Sequence, residues 1–161
     1  NGVGCKHIAH TASCSDAAVC VITCDGNDSC GDLITCGAGQ CDVTCAAKGA
    51  CEGGILCGDG PCAVKCSKGA CDANVVCGKG LYDVTCASKS CKKEIKCGSG
   101  GCDVACSGGS CGGEVKCEKS CSCKTSCAKG ACGKGVKCPK GCSSDKKTCT
   151  DVGANCNTCG G

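Results

Sequence analysis

Branched aliphatic residues alternate with polar ones in short segments that recur every 20 or 21 residues along the chain. Two examples are Cys41-Asp42-Val43-Thr44-Cys45 and Ile95-Lys96-Cys97, in which cysteine and the aliphatic residue share one face of an extended chain. Alternation with β-branched residues is the pattern of a half-buried β-strand. Each repeat therefore predicts two short strands.

Two aliphatic columns and four cysteine columns define the repeat when the chain is laid against itself. The aliphatic columns are Ile22, Val43, Val64, Val84, Val104, Thr125 and Ile34, Ile55, Val75, Ile95, Val115, Val136. The first cysteine column is Cys20, Cys41, Cys62, Cys102 and Cys123, with Tyr82 as its exception. The second column is Cys24, Cys45, Cys66, Cys86, Cys106, Cys127, and the third is Cys30, Cys51, Cys71, Cys91, Cys111, Cys132. The fourth column is Cys36, Cys57, Cys77, Cys97, Cys117, Cys138.

Glycine-rich tetrads such as Gly58-Asp59-Gly60-Pro61 separate the repeats, and segments such as Ala47-Lys48-Gly49-Ala50 suggest a second bend inside each one. Two strands and two corners per 20 residues describe one turn of a β-solenoid. We therefore predict an all-β, disulfide-rich β-solenoid of about six coils over residues 20–141. Residues 1–19 and 142–161 break the spacing and are predicted to be irregular end segments, either caps or connectors.

The composition explains what fills such a solenoid. The chain has 30 cysteines among 161 residues, no Phe, Trp or Met, and Tyr82 as its one aromatic residue. Burial of large apolar side chains therefore cannot supply the usual stabilisation of about 25 cal/mol per Å², and disulfides are expected instead. Such a chain belongs in an oxidising compartment, and we expect a secreted, extracellular protein from which a leader has been removed, because Asn1-Gly2-Val3 resembles no signal peptide.

The strand geometry restricts the bridges. Cys41 and Cys45 would be about 13 Å apart in an extended strand, beyond the roughly 7 Å limit for bridged Cα atoms. We expect each to be bridged across the coil interior to another column, giving two bridges per coil. Each would close a loop of some 15 to 20 residues and contribute about 3 kcal/mol.

Tyr82 leaves one cysteine of its coil without the usual partner. A compensating bridge to Cys121, a bond to another chain, or a tyrosine that simply fills the space of the lost bridge would each account for this. The irregular cysteines Cys121, Cys142, Cys149, Cys156 and Cys159 are candidates for irregular or interchain bridges.

The remaining chemistry points away from catalysis. His7 and His10 lack acidic neighbours at metal-ligand spacing and are expected to be surface residues, and no catalytic residues or cofactor are predicted. A metallothionein-like thiolate store would need dense Cys-x-Cys clusters, and only Cys121-Ser122-Cys123 fits. The net charge of +3 comes from scattered Lys, Asp and Glu, which gives no nucleic-acid footprint. No apolar stretch is long enough for membrane insertion.

Two surface features remain. Asn27-Asp28-Ser29 is an acceptor sequon, so Asn27 is a candidate glycosylation site. Lys96, Lys116 and Lys137 form an outward column, read either as a solvated, edge-protecting face or as a stripe that binds anions or glycans.

The steps Val43-Thr44-Cys45 and Val84-Thr85-Cys86 resemble those of the disulfide-rich β-solenoids known as beetle antifreeze proteins. The resemblance covers the architecture, and it implies an ice-binding face built from outward threonines. The corresponding outward column in this chain is Thr23, Thr44, Lys65, Thr85, Ala105, Ser126.

Three hypotheses of function follow. The first is a non-enzymatic structural subunit of an extracellular filament, tubule, coat or matrix that self-associates end to end or side by side. The second is ice binding, and the third is a secreted adhesin or defence module that binds a receptor or glycan.

Overall fold

The computed structural model describes residues 3–5, 19–87, 89–144 and 149–151, and this part of the chain contains strands and turns but no helix. The strands of the two main sheets fall into a longer and a shorter set. The longer strands are β1 (Val3–Cys5), β2 (Val19–Cys24), β4 (Gln40–Cys45), β6 (Cys62–Cys66), β8 (Tyr82–Cys86), β10 (Gly101–Cys106) and β12 (Ser122–Cys127). The shorter strands are β3 (Ile34–Thr35), β5 (Ile55–Leu56), β7 (Val75–Val76), β9 (Ile95–Lys96), β11 (Val115–Lys116) and β13 (Val136–Lys137).

The two sets form two parallel sheets, which confirms the predicted β-solenoid. The first sheet has the order β1-β2-β4-β6-β8-β10-β12, and the second has the order β13-β11-β9-β7-β5-β3. We number the coils 1 to 6 by the residues 20–40, 41–61, 62–81, 82–101, 102–122 and 123–141. Consecutive coils pair in register, so that the first two cysteine columns and both aliphatic columns are ladders of direct neighbours.

The interior of the solenoid is narrow and is filled by the two aliphatic columns and the cysteines. Val43, Val64 and Val84 stack directly on one another and are at most 1% exposed. Ile55 and Val75 stack in the same way behind the second sheet and are equally buried. The strand pattern confirms the alternation read from the sequence, since β4 shows exposed or half-buried and buried residues in strict alternation.

The glycine-rich corner keeps adjacent coils at sheet spacing. A Cβ added to Gly98 would lie 2.6 Å from the carbonyl oxygen of Cys77, and one added to Gly80 would lie 3.0 Å from the backbone nitrogen of Pro61. Backbone therefore stacks directly on backbone along this corner, and no side chain fits between the coils.

The other corner explains why coils 1 and 2 have 21 residues whereas coils 3 and 4 have 20, and coil 5 instead has its extra residue between Cys117 and Cys123. In coils 1 and 2 the second and third cysteine columns are six residues apart, whereas in coils 3 to 6 they are five apart. The shorter corner places its third-column cysteine in the left-handed region, with φ of 57° at Cys71 and 52° at Cys91. Non-glycine residues rarely adopt this conformation, so the disulfide holds a strained corner.

The end segments are described only in part. β1 pairs in parallel with β2, so Val3 lies beside Cys20 and one strand of the first sheet precedes residue 20. At the other end, β14 (Cys142–Ser144) and β15 (Cys149–Asp151) form an antiparallel hairpin outside both main sheets. The assignment of residues 1–19 and 142–161 as caps or connectors stays a prediction.

Replacing Gly98 by alanine should destabilise the protein by about 1–3 kcal/mol, because the added methyl group forces two stacked backbones apart. Gly133→Ala is the matched control, since a Cβ there would meet only the Gly112 carbonyl oxygen at 3.7 Å. Denaturant unfolding followed by circular dichroism compares the two variants. Equal midpoints would contradict the backbone stacking at this corner.

Candidate functional site

The disulfides lie at the corners of every coil. One bridge joins the second and third columns within a coil, as in Cys45–Cys51 and Cys86–Cys91. The other joins the fourth column to the first column of the next coil, as in Cys36–Cys41. Of the two cysteines in one strand, the first therefore bonds to a cysteine that precedes the strand and the second to one that follows it. Bridges at this density indicate folding in an oxidising environment.

The predicted loops of 15 to 20 residues are wrong. The bridged cysteines of the coils are five or six residues apart in sequence, and their Cα atoms are about 6 Å apart. We expected the bridged cysteine columns on opposite sides of the interior. The chain turns so tightly that columns adjacent in sequence meet at the corner instead. A loop of six residues contributes about 2 kcal/mol in the chain-entropy model rather than about 3.

Between coils 1 and 6, Tyr82 occupies the one break in this pattern among the described residues. Its expected partner, Cys77, is a buried free thiol, only 6% exposed. The Tyr82 side chain is 3% exposed, and its hydroxyl donates to the Gly58 carbonyl at 2.7 Å and accepts from the Gly80 amide at 2.9 Å. Tyrosine thus replaces a covalent corner bond by two hydrogen bonds to backbone, one with Gly80 of coil 3 and one with Gly58 of coil 2.

This arrangement tests two of the three accounts of Tyr82, and the bond to another chain stays a prediction. Cys121 is itself disulfide-bonded while Cys77 carries a thiol, so a compensating bridge from the Tyr82 coil to Cys121 is wrong. Tyrosine fills the space of the lost bridge. The signal was present in the sequence, because Cys77 precedes Tyr82 by five residues, as Cys36 precedes Cys41.

A surface groove of about 460 Å³ lies next to Cys77, at the corner that lacks a disulfide. Its lining includes Cys77, Lys79, Lys96, Ser99 and Lys116. Burial nevertheless raises the pKa of the Cys77 thiol from 9.0 to about 12, which keeps it protonated at neutral pH. The thiol is therefore a packed, weakly nucleophilic group rather than a reactive one.

The structure describes some of the irregular cysteines and not others. Cys138 bonds to Cys149 and so ties coil 6 to the terminal hairpin, and Cys142 is also disulfide-bonded. Cys156 and Cys159 lie outside the described residues, as do His7 and His10, so the predictions made for them stay open.

The described cysteines offer no thiolate cage for a metal. Three sulfur atoms lie close together in groups such as Cys97, Cys102 and Cys117. Each of these cysteines is bridged, however, and a sulfur atom in a disulfide is not the thiolate that zinc or copper requires. The grouping follows from the stacking of one coil on the next.

The lysine column is paired with acidic residues. Lys116 lies 2.8 Å from Glu94 on the preceding coil and 3.6 Å from Glu114 on its own coil. The hydrogen bond with Lys116 lowers the pKa of Glu94, and the same bond raises the pKa of Lys116. Lys96 and Lys137 also lie near Glu94 and Glu114, so the charge of the column is largely balanced.

The outer surface of the first sheet carries the column that the antifreeze resemblance singles out. Thr23 and Thr44 are direct neighbours, but the next position is Lys65. The adjacent outward column also carries charge, at Asp42, Asp83 and Asp103. Asn27, the candidate glycosylation site, is exposed on a turn of coil 1.

Two buried serine hydroxyls make structural hydrogen bonds that the sequence did not predict. Ser90 donates to the Cys66 carbonyl at 2.9 Å, and Ser110 donates to the Cys86 carbonyl at 2.7 Å. Ala50 and Ala70 occupy the same position in other coils. The sequence shows a small residue, Ser or Ala, before each cysteine of the third column. The hydrogen bond of a serine at this position depends on the corner geometry, which the sequence does not reveal.

Comparisons with known proteins add no family. A scan against family models, a search of curated proteins and a search of solved structures each find no match. In the part of the chain that the structure describes, no helix is long and apolar enough to cross a membrane.

Replacing Tyr82 by cysteine should close a bridge to Cys77. The equivalent bridges Cys57–Cys62 and Cys97–Cys102 have Cα separations of 6.1 and 6.0 Å over the same five-residue spacing. A thiol count on the unfolded, unreduced variant should be lower by one than that of the native chain. A count higher by one would contradict the equivalence of these corners.

Cys77 should resist alkylation while the protein is folded. At about pH 8 a pKa of about 12 leaves roughly one thiol in 10⁴ ionised, against about one in ten for an unfolded chain. Iodoacetamide labelling followed by mass spectrometry should modify Cys77 only in concentrated guanidinium chloride. Equal labelling rates with and without denaturant would contradict the burial of this thiol.

Proposed function

We propose that this protein is a secreted structural subunit that self-associates into an extracellular filament, coat or matrix. The observation that carries the proposal is the corner chemistry, in which nearly every coil is locked by its own two short disulfides. A rod built in this way withstands local opening, because separating a bridged corner requires breaking a covalent bond, and only the corner at Cys77 and Tyr82 lacks one among the described corners of the coils.

The interior and surface of the rod also support a building role. Cystines and branched aliphatic residues fill the inside, while the grooves found along the described surface are open and shallow. Cys77, the free thiol near one groove, is protonated at neutral pH. These features favour a rigid module over a nucleophilic or ligand-enclosing site.

Exposed aliphatic side chains supply apolar contact area for assembly. Val19, Val21 and Leu33 are 37%, 42% and 47% exposed around the beginning of the solenoid, and Leu81 is 67% exposed. Side chains of this size contribute to association when a partner covers them.

Ice binding is the second candidate, favoured by the neighbouring threonines Thr23 and Thr44 on the parallel outer surface of the first sheet. Lys65 and Asp83 interrupt any extended threonine array there. A thermal-hysteresis measurement on the oxidised protein distinguishes the two candidates. A freezing gap with faceted crystals would favour ice binding over the structural role.

The structural role predicts assembly of the oxidised protein. Sedimentation velocity over a range of concentrations should show species that grow in mass, and negative-stain images should show elongated particles. Reduction and alkylation should abolish them, because the corners open. A single small species at every concentration and ionic strength would contradict the proposal.

A further inference from the structure

The charges of this solenoid are segregated along its axis. Coils 1 and 2 carry six acidic residues and one lysine, a formal net charge of −5, whereas coil 6 carries five lysines and no acidic residue, a formal net charge of +5. The acidic residues are Asp25, Asp28, Asp32, Asp42, Glu52 and Asp59, and the lysines are Lys124, Lys129, Lys134, Lys137 and Lys140. Residues 1–19 and 142–161 each have equal numbers of lysines and acidic residues.

Ion pairs within one molecule neutralise only some of these charged residues. Among the described residues, Lys129, Lys134 and Lys140 are exposed and take part in no ion pair, in contrast to Lys124 and Lys137. At the opposite end, Asp25, Asp28 and Glu52 are likewise exposed and without an ion pair among the described residues. Each end therefore has excess charge of one sign available to a partner.

The two charged groups are far enough apart to act independently. Coil 6 lies between four and five coil spacings from coils 1 and 2, or about 20 Å at the usual strand separation. This exceeds the Debye length of about 8 Å at physiological ionic strength. The rod therefore carries opposite net charges at its two ends, and these charges attract each other between molecules rather than within one molecule.

We propose that the basic coil 6 end of one molecule binds the acidic coil 1–2 end of a second copy, so that rods join head to tail into a polar chain. This inference rests on the proposed self-association and specifies its direction. Head-to-head and tail-to-tail contacts would bring like charges together, which disfavours them. A head-to-tail contact is heterologous and does not close on itself, so it extends into a filament.

The distribution of charge around the rod favours axial over lateral contact. On coil 6, Lys124 lies on the first sheet, Lys137 on the second sheet and Lys129 on a corner. At the acidic end, Asp42 lies on the first sheet and Asp25 at a corner. A side-by-side pair would engage only the charges on one face, whereas a contact between the two ends can engage charges on several faces. The exposed Val19, Val21 and Leu33 surround the same acidic end and add apolar area.

Charge reversal at each end tests the proposal. Lys134→Glu with Lys140→Glu lowers the formal charge of coil 6 from +5 to +1, and Asp25→Lys with Glu52→Lys changes that of coils 1 and 2 from −5 to −1. The control, Lys65→Glu with Lys93→Glu, changes the net charge by the same amount as the first variant but in the middle of the rod. All six positions are exposed and make no ion pair in the structure.

Sedimentation at about 10 mM and about 0.5 M salt should give a clear order of behaviour. The native chain and the control should form an open series of oligomers at low salt and dissociate at high salt. Each end variant alone should associate at least tenfold more weakly. An equimolar mixture of the two should recover association as pairs, because the intact acidic end of the first variant then meets the intact basic end of the second.

Three outcomes would overturn the head-to-tail contact while leaving self-association intact. These are unchanged assembly of the end variants, no pairing in the mixture of two folded variants, and a closed dimer of the native chain in place of an open series. A native chain that stays monomeric at both salt concentrations would instead overturn the proposed function itself.

Discussion

The parallel backbone ladders fix the distance between adjacent coils, and the rest of the structure depends on that spacing. Each residue stacks on its equivalent one coil away, so the interior is a set of columns rather than a three-dimensional core. Branched aliphatic residues and cysteines fill these columns, together with Tyr82. Glycine is required by the same spacing where backbone lies on backbone, as at Gly98.

Disulfides stabilise the corners, and backbone hydrogen bonds hold adjacent coils together. Bridges such as Cys45–Cys51 close corners within a coil, and Cys57–Cys62 closes the corner between two coils. Both act over a few residues, so the long-range cohesion of the rod comes from the ladders and from stacked side chains such as Val64 on Val84. Local covalent locks on a hydrogen-bonded stack give a rigid rod, which is the basis for the structural role that we propose.

The repeat made the fold predictable from the sequence, because alternating Val and Cys at a fixed period specify strands, faces and register together. The disulfide partners were not predictable, since the pairing depends on how tightly the chain turns. A corner that holds Cys71 at positive φ is invisible in the residue pattern. Tyr82 was recognised as an exception, but its two hydrogen bonds to backbone required the positions of Gly58 and Gly80. The axial charge separation was readable from the sequence, but only once the coils and their order were known.

Disulfide mapping of the unreduced protein tests the central claim, namely that covalent bonds close corners locally. Lys48, Lys68, Lys89 and Lys129 each lie between two bridged cysteines. Tryptic cleavage at these lysines under denaturing conditions should therefore leave the adjacent peptides joined, as Cys66 to Cys71 and Cys127 to Cys132. Bridges between cysteines 15 or more residues apart in the coils, or free thiols at most of these positions, would contradict the account.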